Sequence, residues 1–144
     1  MKSKVILICL LLLCPNAHAF GRKDLVGTWE LISYVLTEDG TERPWCKSPF
    51  GIISYGANGY MAVGINCRKA ENDEITPDPK DMVFYAGKFS IRSPNTVIHH
   101  VENSSEISRI GQDLERTVDM KGDLITLSGM GVKGPVRLVW KKRK

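Results

Sequence analysis

The sequence has almost no helical periodicity. No window of about a dozen residues carries apolar side chains at the i, i+3, i+4 spacing that marks an amphipathic helix. The sequence also has no Gly-x-Ser-x-Gly nucleophile elbow, no phosphate-binding loop and no dinucleotide fingerprint. These absences give no support to a helical bundle, or to the hydrolases and nucleotide-binding enzymes that such motifs mark.

A basic face is missing as well. The formal net charge is +4, but the last four residues, 141–144, are all basic and equal that charge by themselves. Recognition of nucleic acid needs cations spread over a face, with aromatic side chains that stack on bases. We therefore expect no nucleic-acid partner.

The N-terminus has the pattern of a secretory signal peptide. Lys2 and Lys4 precede an apolar run at 5–14, and Ala17-His18-Ala19 fits the small-x-small cleavage pattern. The run is shorter than the roughly 20 residues that cross a bilayer, so no stable membrane insertion is expected. We predict a signal peptide at 1–19, a mature domain at 20–144, and export to the periplasm or the medium.

Few cysteines remain after that cleavage. The chain has four cysteines, of which Cys9 and Cys14 lie in the leader and Cys46 and Cys67 in the mature domain. An even pair in an oxidising compartment predicts a disulfide, with two buried free thiols as the alternative. Two cysteines without nearby histidines do not complete a zinc shell, so no metal site is predicted.

Short strand signals fill the mature domain. They are rich in β-branched and aromatic residues and are separated by turn residues, while residues 68–80 form a charged loop with two prolines. Such a series predicts an all-β sandwich or closed barrel of antiparallel strands in sequential order. The eight predicted strands are residues 25–37, 50–55, 60–67, 82–92, 96–102, 110–120, 124–129 and 136–141.

Gly27 and Trp29 open the first strand. They lie two residues apart and therefore share a face. We expect Trp29 to fill the space at the closed end of the sheet, with Gly27 leaving room for the indole.

The chain resembles the lipocalin-like domain family over essentially the whole mature domain. The resemblance implies an eight-stranded antiparallel up-and-down barrel with a central cavity, and it implies no particular activity. The 68–80 loop and the two cysteines are not part of the family pattern. The motifs that carry the resemblance are Leu25-Val-Gly-Thr-Trp29, Gly51-Ile-Ile-Ser-Tyr55, Gly59-Tyr-Met61, Tyr85-Ala-Gly-Lys-Phe89, His99-His-Val-Glu102 with Ser104, Arg116, Leu124-x-Thr-Leu127 and Leu138-Val-Trp140.

A polar group on the fifth and sixth predicted strands is the candidate ligand site. Alternation places His100 with Glu102, and Gln112 with Arg116. If both faces point inward, these four residues converge in the cavity, and Arg116 could receive an anion in fork geometry. The structural alternative is a buried Glu102–Arg116 pair. His99, flanked by Val97 and Val101, is interpreted as a packed or surface histidine.

Three functions stay open from the sequence. The first is an exported carrier of a small hydrophobic or amphipathic molecule, without a cofactor. The second is an isomerase or cyclase on the same barrel that uses His100 and Glu102 as acid and base. The third is a protein-interaction module whose cavity is filled by its own aromatic residues. These aromatics could instead line the cavity, and they are Tyr34, Tyr55, Tyr60, Phe84, Tyr85, Phe89 and Trp140.

Overall fold

The computed structural model describes residues 20–68, 82–92 and 94–144. The predicted signal peptide and most of the predicted charged loop lie outside these ranges. Within the described residues, no helix is long and apolar enough to cross a membrane.

A single antiparallel sheet makes up almost all of the described chain. It follows one short helix, α1, and contains nine strands. The elements are α1 (Arg22–Leu25), β1 (Gly27–Glu38), β2 (Thr41–Pro44), β3 (Pro49–Tyr55), β4 (Tyr60–Cys67), β5 (Val83–Arg92), β6 (Thr96–Ser104), β7 (Asp113–Lys121), β8 (Leu124–Met130) and β9 (Pro135–Lys142).

The sheet closes on itself. Strands β3 to β9 pair in sequential order, and β9 pairs with β1. The other edge of β1 is shared, because its start pairs with β3 and its end pairs with β2. Strands β1 and β3–β9 thus form the ring, and the prediction of an eight-stranded antiparallel barrel is confirmed.

Strand β2 was not predicted. It is four residues long, fully exposed and ends in a proline, so it carries no alternation of apolar and polar residues. It pairs with β1 across a two-residue turn at Asp39 and Gly40, whose φ angles of 51° and 75° are both positive. That conformation is typical of a tight hairpin.

A bulge in β1 changes which residues face the core. Trp29 and Leu31 point inward, whereas the next inward residues are Tyr34 and Leu36. The pairing with β9 shifts between Leu31 and Ser33, so one extra residue is accommodated there. Without this shift, strict alternation would turn Tyr34 outward.

The barrel is closed at the end where β1 begins. Trp29 is fully buried, and its indole nitrogen donates a 2.8 Å hydrogen bond to the carbonyl of Leu25, the buried last residue of α1. The Arg22 guanidinium lies 5.2 Å from the centre of the Phe89 ring. Helix α1 therefore caps this end and is held there by Trp29.

The space beside Gly27 is not taken by the indole. Gly27 has a φ of +132°, and a Cβ there would lie 3.2 Å from Cε of Lys142. The Lys142 ammonium in turn lies 5.0 Å from the centre of the Trp29 ring. Gly27 thus makes room for the lysine that covers the tryptophan.

Replacing Trp29 should be costly. Trp29→Ala removes a fully buried side chain and its hydrogen bond, and should lower the free energy of unfolding by about 3–5 kcal/mol in urea titration. Ile32→Ala is the matched control, since Ile32 is an exposed residue of the same strand, and should change it by less than about 0.5 kcal/mol. Unchanged stability with loss of ligand binding would contradict this assignment.

Candidate functional site

The four predicted site residues do not converge inside the barrel. On β6 the inward side chains are Val97, His99 and Val101, so His100 and Glu102 point outward. The pairing explains why, because Val97 lies directly opposite Arg116 on β7, and opposed residues share a face. The predicted inward placement of His100 and Glu102 is therefore wrong.

Gln112 also lies outside the cavity. It precedes β7, which begins at Asp113 rather than at residue 110 as predicted. Residues Ile107–Arg109 form a 3-10 helix, and Gly111 takes a φ of +79°. The chain therefore turns through this region, and Gln112 is exposed.

His100 belongs to a polar cluster on the outer face. Its Nε2 lies 2.8 Å from Ser90 Oγ, and its Nδ1 lies 2.6 Å from Asp113 Oδ1. The order of atoms is that of a serine–histidine–aspartate triad, but the side chains of His100 and Asp113 are 38% and 63% exposed. Acyl transfer relies on a water-excluded site with preorganised donors, and these exposed side chains do not form one. His100 and Glu102 both point away from the barrel interior, so the isomerase or cyclase interpretation loses its proposed base and acid.

The histidine inside the barrel is His99. It is fully buried, with Nε2 2.8 Å from the Tyr55 hydroxyl and Nδ1 3.0 Å from the Tyr85 hydroxyl. Burial, together with the positive charge of Arg116 and the neighbouring His100, lowers the pKa of His99 to about 3. Burial also raises the pKa of both tyrosines. All three groups are therefore neutral near pH 7.

Arg116 lies inside, as the sequence suggested, but its partner is not Glu102. Its Nη1 donates 3.0 Å hydrogen bonds to the carbonyls of Glu115 and Met130. The β7–β8 pairing ends at Thr117 and Ser128, and two residues further on its register would oppose Glu115 and Met130. The guanidinium thus bridges two strands where their own ladder has ended.

A glycine makes this bridge feasible. A Cβ on Gly129 would lie 2.4 Å from the carbonyl oxygen of Glu115 and 2.6 Å from Arg116 Nη1, so any other residue there would displace both partners of this hydrogen bond. Nη1 supplies both strand contacts. The guanidinium also interacts with the Tyr85 hydroxyl, and this interaction opposes the rise in the pKa of Tyr85 that burial causes. Arg116 is 6% exposed and forms no ion pair with a carboxylate of the described residues.

A small inner cavity of about 20 Å³ lies in the middle of the barrel. Two of its lining residues, Arg109 and Arg116, are cations, and none of the described ones is acidic. The Trp140 indole nitrogen is buried and has no hydrogen-bond partner among the described residues. The lining residues are Tyr34, Ile53, Val63, Ile65, Val83, Tyr85, Arg109, Arg116, Leu127, Gly131, Val136, Leu138 and Trp140.

A wider cavity of about 350 Å³ forms the mouth at the end opposite α1. Tyr34, Val83, Arg109 and Val136 line both cavities, so the inner cavity lies directly behind the mouth. Burial raises the pKa of Tyr34, while the charges of Arg109 and Arg116 act in the opposite direction. Both cations therefore influence the space where the two cavities meet.

The predicted disulfide holds one wall of this mouth. Cys46 and Cys67 are bonded, which confirms that prediction. The neighbouring Trp45 stacks on Tyr34 with ring centres 5.0 Å apart, and its backbone N–H donates to the Tyr34 carbonyl. The disulfide therefore ties the Trp45 segment to the end of β4.

Sequence reasoning missed two of the site's polar residues. Arg109 was placed in a polar connection, and His99 was set aside as packed. The alternation of Val97, His99 and Val101 was the signal that could have placed His99 inside. Among the described residues, no group of three or more histidine, cysteine, aspartate or glutamate side chains could hold a metal ion.

The buried histidine should make stability depend on pH. Between its unfolded pKa near 6.5 and its folded pKa of about 3, the unfolded state binds a proton that the folded state does not. The free energy of unfolding should therefore fall with decreasing pH, by up to about 1.4 kcal/mol per pH unit. His99→Gln should flatten this slope in urea titrations between about pH 7 and pH 4. Ile32→Ala, at an exposed residue that does not titrate, should keep it. The same slope in both variants would contradict the assignment.

The disulfide should contribute measurably to stability. The bonded residues are 21 positions apart, so replacing both by serine should lower the free energy of unfolding by about 3 kcal/mol in the chain-entropy model. Wild-type protein treated with a reductant serves as the control and should match the double variant. Equal stability of the oxidised wild type and the double variant would be the contrary result.

Comparison with known proteins identifies the family. Residues 26–142 match the lipocalin-like domain family, whereas no curated protein sequence matches the chain. A redesigned β-barrel of known structure aligns with a TM-score of 0.52 at 11% identity, over 88% of this chain and 98% of its own. A de novo designed fluorescence-activating β-barrel aligns with a TM-score of 0.48 at 16% identity, over 85% and 96%. The redesigned barrel supports the fold alone, and the family match shows that this chain belongs to the lipocalin-like domain family.

Proposed function

We propose that the protein binds or carries a small, mainly apolar molecule with an anionic oxygen group in the barrel cavity. A mouth of about 350 Å³ falls within the range of small-molecule sites. The lining of such sites is mostly apolar with a few convergent polar groups, which is also the composition of the inner cavity.

Arg116 is the observation that carries this proposal. A buried cation is costly unless an opposite charge or a full set of acceptors satisfies it. No described carboxylate pairs with Arg116, and its contacts with the strand carbonyls use Nη1 alone. A carboxylate or similar anion on the ligand would supply the opposite charge, in the geometry that a guanidinium favours.

The structural alternative for Arg116 explains only part of the arrangement. A Glu102–Arg116 pair is excluded, because Glu102 is exposed on the outer face of β6. The strand bridge accounts for the position of Nη1 but not for the absence of described acidic residues around the inner cavity. A ligand anion would complement the two arginines that line this cavity.

The two cavities suggest how the ligand is oriented. The inner cavity has room for about one water molecule, or for the oxygen end of a ligand. The rest of the ligand would then lie in the mouth, where Leu36, Val83 and Val136 offer apolar contacts. Polar and charged side chains also line this mouth, namely Arg43, Ser105, Glu106, Arg109 and Lys133. The open mouth also favours a binder over an interaction module with a filled cavity.

Export is part of the proposal. The N-terminal pattern at 1–19 is typical of a secretory signal, and the Cys46–Cys67 disulfide is consistent with an oxidising compartment. An exported carrier would take up its ligand outside the cytoplasm. Mass spectrometry of the N-terminus of the protein from its own host would test for cleavage after Ala19.

Arg116 should distinguish an anion from a neutral ligand of equal length. Arg116→Met keeps the bulk of the side chain but removes the charge and its hydrogen bonds. In calorimetric titrations the variant should lose about tenfold or more in affinity for decanoate, while its affinity for decanol should change by less than about threefold. Circular dichroism and urea unfolding would show whether the variant folds.

Arg92→Met is the matched control. Arg92 lies on the outer face and pairs with Glu115, so its loss should leave decanoate binding unchanged. Equal decanoate affinity in wild type and Arg116→Met would remove the basis of the proposal. Native mass spectrometry of protein from its own host should also show an anionic amphiphile, and a neutral or cationic ligand there would contradict the assignment.

A further inference from the structure

The buried trio of Tyr55, His99 and Tyr85 contains an asymmetry. Tyr55 is 2% exposed, and among the described residues its hydroxyl has one hydrogen-bond partner, His99 Nε2. Tyr85 bonds to the other nitrogen, but it also lines the inner cavity. Within the described residues, the Tyr55 hydroxyl can therefore donate only to His99, whereas the Tyr85 hydroxyl can donate either to His99 or to a group in the inner cavity.

The hydrogen-bond requirement of Tyr55 decides between the two tautomers of His99. A neutral imidazole donates from one nitrogen and accepts at the other. If Nε2 carried the proton, the Tyr55 oxygen would accept a hydrogen bond from Nε2. The hydroxyl proton of Tyr55 would then be buried without an acceptor. If Nδ1 carries the proton, Tyr55 donates to Nε2, and Nδ1 donates to the Tyr85 hydroxyl oxygen. Both nitrogens of His99 and the Tyr55 hydroxyl then have partners, and the proton of Tyr85 is the one that still needs an acceptor.

We propose that His99 carries its proton on Nδ1, and that this tautomer turns the Tyr85 hydroxyl into a hydrogen-bond donor aimed at the inner cavity. Tyr85 accepts from His99 Nδ1, so its own proton has to find an acceptor on the cavity side. His99 is thus a positioning residue, since it acts on the ligand only through Tyr85.

The tautomer has a consequence for which ligand groups the inner cavity can bind, and this consequence rests on the proposed function. Arg109, Arg116 and the unpartnered Trp140 indole nitrogen are donors that cannot accept. With Tyr85 fixed as a donor, Tyr34 is the one described lining residue whose side chain can still either donate or accept a hydrogen bond. The cavity therefore selects a ligand whose inner group is a pure acceptor, such as a carboxylate.

Nuclear magnetic resonance can read the tautomer without any ligand. His100→Gln leaves His99 as the one histidine of residues 20–144. In protein labelled with ¹⁵N histidine, two-bond correlation spectra at neutral pH should show Nδ1 with the shift of a protonated nitrogen and Nε2 with that of an unprotonated one. A protonated Nε2, or averaged shifts for the two nitrogens, would overturn the assignment.

Two tyrosine variants test the effect on the ligand. Tyr85→Phe removes the donor and should lower the affinity for decanoate about tenfold. Tyr55→Phe leaves the cavity lining unchanged but removes the bond that selects the tautomer. It should raise the Nε2-protonated population in the spectra and weaken decanoate binding several-fold. Tyr60→Phe, at an exposed tyrosine, is the matched control and should change neither measurement.

These outcomes separate the inference from the function on which it rests. If the wild type shows the Nδ1 tautomer but binds no decanoate, the tautomer assignment stands and the proposed function fails. If decanoate binds equally to wild type and Tyr85→Phe, the role of Tyr85 as a donor is refuted. If Tyr55→Phe binds decanoate as the wild type does, His99 does not position Tyr85.

Discussion

Alternation in a closed sheet is the constraint on which this molecule depends. Each strand of the ring sends every second side chain into the same interior, and directly opposed residues share a side. Once Arg116 points inward, its partner Val97 does so too, and His99 follows two residues later. Which polar residues point into the barrel therefore depends on the pairing of all the strands in the ring and not on any one strand.

Polar groups inside such a ring have to satisfy one another. Tyr55 and Tyr85 bond to the two nitrogens of His99, and the nearby charge of Arg116 helps to keep that imidazole neutral. Two strand carbonyls take up one end of the guanidinium. Among the described residues, the one buried side-chain nitrogen or oxygen without a hydrogen-bond partner is the indole nitrogen of Trp140, a residue that lines the inner cavity.

The sequence allowed the barrel and the disulfide to be predicted, because both leave local or compartmental signals. Strand spacing and turn residues marked the eight strands of the ring, and an even cysteine pair after a predicted secretory leader marked Cys46 and Cys67. Strand β2 escaped notice because four exposed residues carry no apolar pattern. Its hairpin depends on positive φ angles at Asp39 and Gly40.

The candidate site could be predicted only in part. Adjacent histidines at 99 and 100 necessarily face opposite ways, and the choice between them depends on pairing with β7. Gln112 was grouped with Arg116 by counting in twos through a segment that turns at Gly111. Arg116 was expected inside only on the condition that the His100 face also points inward, and the pairing of β6 with β7 places Val97 rather than His100 opposite Arg116. The contacts that bring Tyr85, Arg109 and Trp140 to the same cavity join strands and loops far apart in sequence.

The guanidinium of Arg116 is a rigid plane with two ends. One end joins the carbonyls of Glu115 and Met130 across a gap in the barrel wall, and the other is available to the interior. Because the guanidinium plane is rigid, its hydrogen bonds to the strands and any contact that it makes with a ligand are mechanically coupled. A ligand that tilts this plane would also displace the hydrogen bonds that join β7 and β8. A change in the spacing of these two strands would, in the same way, alter the contact with the ligand.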